Sequence, residues 1–436
     1  MTSPIDPFLR GFGNTAVKLP LANVPWLTDM RTRAKGAYEA FGLPTSRLEA
    51  WKYTNLNELQ KHDFRQVESV AANDSTTLKN PLPEIDAYII AFINGRFNES
   101  LSNLAKLPTG VKLQGLAQAI ENTPELLADK IGKLRNENAD AMSALNTAYL
   151  ADGIYLEVDN NVKLDKPVHL ISYALGTIES IAFHPRHIIH INNGASATLL
   201  ESHVGLNGNT LNNSVTEIWV DNFATLEHYK CQNEDISAYH LSCTNVKVGE
   251  NAIYNNFTLQ LGGKIARNEV NCEIAGSHAE AHVNGAYFAN GTQHIDNTSF
   301  IDHAVPKSNS FETFKGVLDD TASGVFQGKI LVRKDAQQSD GQQMSRALLL
   351  SRKAEVNAKP ELEIYADDVK CSHGATVGEL DETQLFYLMA RGIDEASARN
   401  LLVQAFLYEV LDKITSDDIK QAFHDLIAIK LEGLTP

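Results

Sequence analysis

The sequence predicts a mainly β protein with helical ends, and three observations support this fold class. Residues 1–150 carry apolar side chains at helical spacing, residues 151–378 consist of short β-branched and aromatic runs separated by Asn and Gly, and residues 379–436 return to helical spacing. A chain of 436 residues is also too long for one compact core. We therefore predict an N-terminal, mostly helical region, a β core and a C-terminal helical domain with these boundaries.

The N-terminal region is predicted to contain one strand and three helical stretches. Apolar residues recur every three or four positions over residues 22–41, which indicates an amphipathic helix. A strand over residues 87–93 is followed by Asn94-Gly95, a dipeptide typical of tight hairpin turns. The other two helical stretches are expected at residues 116–134 and 139–149.

The β core shows roughly one short strand every ten residues, with Asn-Gly or Gly-Gly turns and no exact repeat. A sandwich, a propeller or a β-solenoid fits this spacing. Small residues and Asn near the strand ends favour the solenoid, because the stacked coils of a parallel β-helix need compact corners. A solenoid leaves open ends that require caps or partners, and the flanking helical regions can supply both.

Three amphipathic helices are predicted after residue 378. Asp381 begins the first, Asp394 the second and Ser416 the third, because Asp and Ser favour helix N-caps. The third helix is expected to bury one apolar face, formed by Ile419, Phe423, Leu426 and Ile429. So short a bundle buries little apolar area internally. We therefore expect it to dock on the main body and to be available to a partner.

The composition argues against several classes of protein. The 38 basic and 54 acidic residues give a net charge of −16, which disfavours binding to nucleic acid and to anionic membranes. No apolar run approaches the roughly 18 residues of a membrane span. Residues 1–20 lack the features of a secretory signal, so a cytoplasmic location is expected. Four cysteines in so long a chain do not indicate a disulfide framework: they are Cys231, Cys243, Cys272 and Cys371. They form no CxxC pair, which disfavours a four-cysteine zinc or iron–sulfur site.

Short catalytic motifs are absent from the sequence. Neither GxSxG nor HExxH nor the phosphate loop GxxxxGK[ST] occurs, so nothing indicates a serine nucleophile or a nucleotide site. Four residues along a strand span about 13 Å, which is too far for two of them to share one metal ion. Surface or coil-lining roles are therefore favoured over a metal site for five closely spaced histidines: His184, His187, His190, His278 and His282.

The most informative stretch is residues 361–379, in which Cys371 and His373 lie two positions apart in an extended segment. Residues two apart on a strand share a face, with Cα atoms about 7 Å apart. A thiolate and a neutral imidazole both bind iron and zinc, so the pair offers half of a metal site that a partner chain could complete. The alternative is that Cys371 is a small buried hydrophobe and His373 a hydrogen-bonded core histidine.

Three stretches of this chain resemble a known family. Residues 370–393, which begin Lys-Cys-Ser-His-Gly-Ala-Thr, resemble the signature of the SufD branch of the SufB/SufD family, part of the SUF iron–sulfur cluster assembly system. Residues 44–56, around Trp-Lys-Tyr-Thr, and residues 324–378 resemble other parts of that family. The SufB branch has a Glu-His-Glu-Ala-Thr-like segment where this chain has residues 371–376. The resemblance is therefore to the SufD branch.

The resemblance implies a right-handed parallel β-helix and a scaffold subunit without catalytic activity of its own. It implies pairing with SufB through the β-helix, docking of the ATPase SufC on the C-terminal helices, and support of iron acquisition. It also implies that His373, with Cys371 beside it, binds a transient iron–sulfur cluster shared with SufB. This chain is expected to bind no nucleotide, and its motifs make no prediction about flavin. An open sheet edge invites pairing, so a homodimer without SufB is compatible with the sequence, and the choice between homodimer and monomer stays open.

Two other functions are compatible with a solenoid. One is a polysaccharide-acting enzyme, although such proteins are usually secreted and this chain shows no signal sequence. The other is a purely structural subunit, in which Cys371 and His373 only pack.

Overall fold

The computed structural model of the protein describes residues 8–10, 12–67, 78–104, 106–176 and 179–432. Its body is a β-solenoid of about 8 turns, with helical regions towards both ends of the chain, which confirms the predicted fold class. No helix among these residues is both long enough and apolar enough to cross a membrane.

The described residues form α-helices in two groups, one before and one after the long run of strands. Asp381 and Asp394 cap the helices that follow them by accepting backbone N–H bonds, as predicted. The helices are α1 (Phe12–Ala16), α2 (Pro25–Phe41), α3 (Leu116–Asn122), α4 (Pro124–Ala128), α5 (Ala141–Ala148), α6 (Glu382–Ala390), α7 (Glu395–Leu411) and α8 (Asp417–Glu432). Two short 3₁₀ helices span Glu49–Trp51 and Asn57–Lys61.

The strands form two sheets, which face each other across the solenoid. Sheet A contains β1 (Arg65–Gln66), β4 (Val111–Gly115), β5 (Ile154–Val158), β7 (Ile181–Phe183), β8 (Arg186–Ile191), β10 (Thr210–Val220), β12 (Tyr239–Val248), β14 (Ile265–Ile274), β16 (His294–His303), β18 (Ser323–Val332) and β20 (Glu355–Ile364). Sheet B contains β2 (Tyr88–Ile93), β3 (Arg96–Asn103), β6 (Val168–Leu175), β9 (Ser196–Asn207), β11 (Thr225–Asn233), β13 (Ile253–Gln260), β15 (Glu280–Ala289), β17 (Asn309–Leu318), β19 (Asp340–Leu349) and β21 (Lys370–Gly378).

Each coil of the solenoid contributes one strand to each sheet, and successive coils pair in parallel. Val215 pairs with Cys243 and Cys243 with Glu269, steps of 28 and 26 residues. The predicted spacing of one strand every ten residues was therefore too short. Strands of the middle coils are themselves 10 residues long, and a corner turn follows each of them.

The three largest apolar clusters lie between and around the two sheets. The main core lies between the sheets and contains Leu199, Leu226 and Ile218. A second cluster packs the N-terminal helices, for example Tyr38 of α2, against the outer face of sheet A. A third packs the C-terminal helices, for example Leu407 of α7, against the outer face of sheet B. Fully burying one such side chain is worth about 1.5–3 kcal/mol, so both helical regions are firmly attached.

The two ends of the solenoid are built differently. At one end β3 and β4 run antiparallel to β2 and β5, and Phe97 and Val111 cover the core. At the other end β20 and β21 are the last strands of sheets A and B, each paired with a single neighbour among the described strands. We call these the capped end and the open end. Strands β2, β3 and β4 belong to the two sheets although they precede residue 151, in the region predicted to be mostly helical. The domain boundaries at residues 150 and 378 stay a prediction.

Two local predictions differ from the structure. Residues 116–134 form α3 and α4 rather than one helix, because Pro124 starts a new helix and lacks the N–H that would continue α3. In α8 the buried face includes Ile419, Phe423 and Ile427, whereas Ile429 is 66% exposed. Positions 419, 423 and 427 are four apart and share a face, which residue 429 does not.

Candidate functional site at the open end of the solenoid

The extended segment predicted around Cys371 and His373 is β21, the last strand of sheet B. In the parallel ladder with β19, Cys371 lies opposite Gly341 and His373 lies opposite Gln343. Side chains two apart on a strand point to the same side, so Cys371 and His373 both lie on the face of β21 that continues the inner face of sheet B.

Cys371 is half-buried and packs against the edge of the main core. Its Sγ lies 3.6 Å from the position that a Cβ would occupy at Gly341, which is an ordinary van der Waals distance. Burial raises the pKa of the Cys371 thiol, so the group stays protonated at neutral pH in the free chain. Ligation of a metal by this sulfur therefore requires the metal to displace a proton.

His373 is exposed, and no described residue donates a hydrogen bond to its ring or accepts one from it. The alternative in which His373 is a hydrogen-bonded core histidine is therefore wrong. Both ring nitrogens are available to a ligand from outside the chain, and a neutral imidazole is a common metal ligand.

Behind His373 a column of polar side chains continues into the solenoid. Gln343 stacks on Glu312 in the ladder of sheet B, and each is 2% exposed. The Ser299 hydroxyl and the Gln343 amide lie close to the Glu312 carboxyl and lower its pKa, but by less than burial raises it. Burial raises the pKa of Glu312 to about 7. The open end therefore joins an exposed imidazole to a buried carboxyl group that changes charge near neutral pH.

Apolar side chains surround this end of the molecule. Ile364 and Tyr365 at the end of β20 are 40% and 60% exposed, and Val377 of β21 is 51% exposed. Exposed apolar groups beside an unpaired strand edge are typical of a surface that a partner covers.

A second exposed apolar surface lies on α6. Phe386, Tyr387 and Met389 are 72%, 57% and 42% exposed, although α7 and α8 bury their apolar faces on sheet B. A groove between β21 and α6 is lined by residues that include Thr376 and Gln384. The first C-terminal helix is thus the least covered of the three.

The Trp-Lys-Tyr-Thr motif attaches the N-terminal region to sheet A. Trp51 is buried, and the guanidinium carbon of Arg267 lies 4.3 Å from the centre of its ring. The Thr54 hydroxyl donates to Asp296 and lies 2.8 Å from Nε2 of His294. The structure therefore gives this motif a packing role.

The five closely spaced histidines form separate contacts. His184 stacks on Tyr149, Nδ1 of His187 accepts the Ile154 N–H, and His190 contacts Asp221. His278 lies in a turn and His282 contacts Glu280. None of the five belongs to a group of three potential metal ligands among the described residues.

Sequence reasoning missed one cluster of potential metal ligands. His203, Glu234 and His240 are brought together inside the solenoid from β9, the turn after β11 and β12. No motif connects them, because the coils that bring them together have no exact sequence repeat.

Comparison with known proteins assigns both halves of the chain to related families. The family model for the SufBD core domain of SUF system FeS cluster assembly matches residues 174–406, and the model for the SufBD N-terminal region matches residues 8–170. An iron–sulfur cluster assembly SufBD family protein of Synechocystis is 32% identical over 88% of this chain and 87% of its own length. The iron–sulfur cluster assembly protein SufD of Escherichia coli is 30% identical over 90% of each chain. The chloroplastic protein ABCI7 of Arabidopsis thaliana is 29% identical over 86% of this chain and 80% of its own.

Proposed function

The chain belongs to the SufBD family of the SUF system, and on that premise we propose that it is the non-ATPase scaffold subunit that pairs with SufB and binds the ATPase SufC. A role in iron–sulfur cluster assembly follows from the family itself. The scaffold role, the two partners, support of iron acquisition and a cytoplasmic location are the proposal. Residues 151–378 would form the paired β-helix and residues 379–436 the SufC-binding domain.

The observation that carries the proposal is the exposed, unpartnered His373 on the last strand of an open solenoid. An imidazole there can bind a cluster that a SufB cysteine also binds. Incomplete ligation from each chain suits a carrier, because a weakly held cluster can be passed on. Cys371 lies beside His373, yet its packing against the core and its protonated thiol support a secondary part in ligation.

Pairing with SufB is proposed to use the edges of β20 and β21. Their backbone N–H and C=O groups on the outer side are available for a strand from another chain, and Val377 and Tyr365 add apolar contact area. In the absence of SufB, the same edges would pair with a second copy of this chain. SufC is proposed to dock on α6, where Phe386 and Tyr387 are exposed.

The experiment that tests the function is affinity purification of the tagged full-length chain from its native cells, with co-purifying proteins identified by mass spectrometry. We expect recovery of SufB and of SufC. Recovery of the chain alone, also under iron limitation, would contradict the scaffold role.

The ligand role of His373 is tested in the purified complex by His373→Ala. We expect loss of cluster absorbance after reconstitution with iron and sulfide while both partners are retained. The matched control is His282→Ala, since His282 lies on the solenoid but away from its open end. Full cluster formation by His373→Ala would leave the chain as a purely structural subunit. If Cys371→Ala retains the cluster and His373→Ala loses it, Cys371 has a packing role and His373 binds the cluster.

A further inference from the structure

A second group of metal-ligating side chains lies inside the solenoid, at a corner where the chain crosses from sheet B to sheet A. His203 projects from β9, His240 from β12 and Glu234 from the turn that joins β11 to β12. Their ligand atoms all lie within 4.8 Å of one another. The three residues are 1–3% exposed, so the group is separate from the open end and from solvent.

The distances from the Asn212 amide to the three other side chains are close to those of a tetrahedral metal site, and His240 and Glu234 are in hydrogen-bond contact. Nδ1 of His240 lies 2.8 Å from Glu234 Oε2. The Asn212 amide nitrogen lies 3.4 Å from Nδ1 of His203, 3.4 Å from Nδ1 of His240 and 3.3 Å from Glu234 Oε1. Ligand atoms bound to zinc at about 2.0–2.1 Å lie roughly 3.3 Å apart in tetrahedral geometry. Rotating the amide by 180° exchanges its nitrogen for an oxygen, which a cation prefers.

A surrounding set of side chains orients these groups. Glu201 accepts a hydrogen bond from Nε2 of His203 at 2.9 Å, which leaves the Nδ1 lone pair directed to the cluster. The Gln232 amide donates to Glu234 at 2.9 Å. A carboxylate bound to the far nitrogen of a ligating histidine is a regular feature of protein metal sites, because it fixes the tautomer and strengthens the ligand.

The charges around the cluster also favour a cation. The carboxylates of Glu201 and Glu234 are accompanied by one ammonium group, Lys230, 3.7 Å from Glu201. Nε2 of His228 also lies 2.7 Å from Glu201, whereas Glu234 has no ammonium or guanidinium partner among the described residues. A divalent cation bound by Glu234 would offset the negative charge of its carboxylate inside the solenoid.

We propose that His203, Glu234, His240 and Asn212 form a binding site for one divalent transition-metal ion such as Zn²⁺ or Fe²⁺. Two imidazoles with two oxygen ligands favour first-row transition metals over Ca²⁺ and Mg²⁺, which take oxygen ligands. The ligands come from one chain, so the site needs no partner, in contrast to the one proposed at His373. The metal would join three strands and a turn from neighbouring coils.

The test uses full-length protein with Co²⁺ as a spectroscopic probe, added during refolding because the site is buried. We expect one Co²⁺ per chain with visible d–d absorption, displaced by Zn²⁺, and a raised melting temperature. Glu234→Gln and His240→Gln should abolish this absorption, and Glu201→Gln should weaken binding about 10–100-fold. Two control variants should keep the Co²⁺ absorption. His373→Ala shows that the ion is not bound at the open end, and His282→Gln changes another histidine that is paired with a glutamate.

Several outcomes would overturn the proposal. These are no Co²⁺ absorption in the wild-type protein, unchanged absorption in Glu234→Gln, or loss of absorption in His373→Ala. If a variant fails to fold, as judged by circular dichroism, Asn212→Asp is tested instead. This substitution keeps the shape of the side chain and replaces its neutral amide with a charged carboxylate ligand. We expect Asn212→Asp to bind Co²⁺ more tightly than the wild type, and equal or weaker binding would also overturn the proposal. Since His373 is not involved, this site can fail while the proposed scaffold function stands.

Discussion

The capped and open ends of the solenoid solve the same problem in different ways. Every parallel β-helix has a first and a last coil whose core would be exposed. At the capped end the chain reverses direction in β3 and β4, so Phe97 and Val111 cover the core from within the same chain. At the open end β20 and β21 keep the parallel direction and their apolar residues stay exposed. An end that the chain leaves uncovered is where a partner is expected.

The largest expected difference concerns backbone packing. A Cβ at Gly153, beside β5 at the capped end, would lie 1.7 Å from the Arg186 carbonyl oxygen, whereas a Cβ at Gly378 of β21 meets nothing within 4 Å. We expect Gly153→Ala to lower the free energy of unfolding by about 4 kcal/mol or more and Gly378→Ala by less than about 0.5 kcal/mol. Urea unfolding of the two variants measures this. Equal losses would show that the two ends are packed alike.

The sequence alone predicted much of this architecture. Small residues and Asn at corners favoured the solenoid, and Asn94-Gly95 indicated the capping hairpin, in which both residues have positive φ (49° and 74°). These features were predictable because turns and caps depend on neighbouring residues. The extended segment with Cys371 and His373 could be predicted for the same reason.

Contacts between coils could not be predicted. The ladder places Gln343 and Glu312 behind His373, at positions about 30 and 60 residues earlier in a chain without an exact repeat. His203, Glu234 and His240 also meet only because two strands and a turn have a particular register. The exposure of Ile429 depends on which face of α8 meets sheet B, and several apolar faces were compatible with its sequence.

A second pair of variants compares the ends through one column of the main core. Leu156 lies near the capped end of this column of sheet A, opposite Leu113 of β4, and Leu362 ends the column at the open end, with Ile218 and Ile330 between them. Leu156 is fully buried and Leu362 only partly. We expect Leu156→Ala to cost about 3 kcal/mol of stability and Leu362→Ala about 1 kcal/mol. If binding of SufB covers the open end, the two costs should converge in the complex, and a persistent difference would contradict coverage.

The buried carboxyl group behind the open end predicts a pH dependence. Burial raises the pKa of Glu312 to about 7, so between pH 4.5 and 7 the folded state binds more protons than the unfolded state. Stability is therefore expected to fall by roughly 3 kcal/mol as pH rises through this window and then to level off. Glu312→Gln should remove this component and be more stable than the wild type at pH 8. The exposed Glu121→Gln is the control, and an unchanged pH profile of Glu312→Gln would contradict the assignment.

Val377→Lys is expected to change the stability of the isolated chain least. It is also the variant that tests the open end most specifically. Val377 is 51% exposed in β21, so a lysine costs the free chain little, whereas pairing of a second strand would bury its charge. We expect about tenfold weaker binding of SufB, or about 1.4 kcal/mol, with unchanged unfolding of the free chain. Val17→Lys, at an exposed position in the N-terminal region, is the control. If both variants bind SufB as the wild type does, the partner does not use this edge, and the exposed His373 beside it loses its proposed access to a shared cluster.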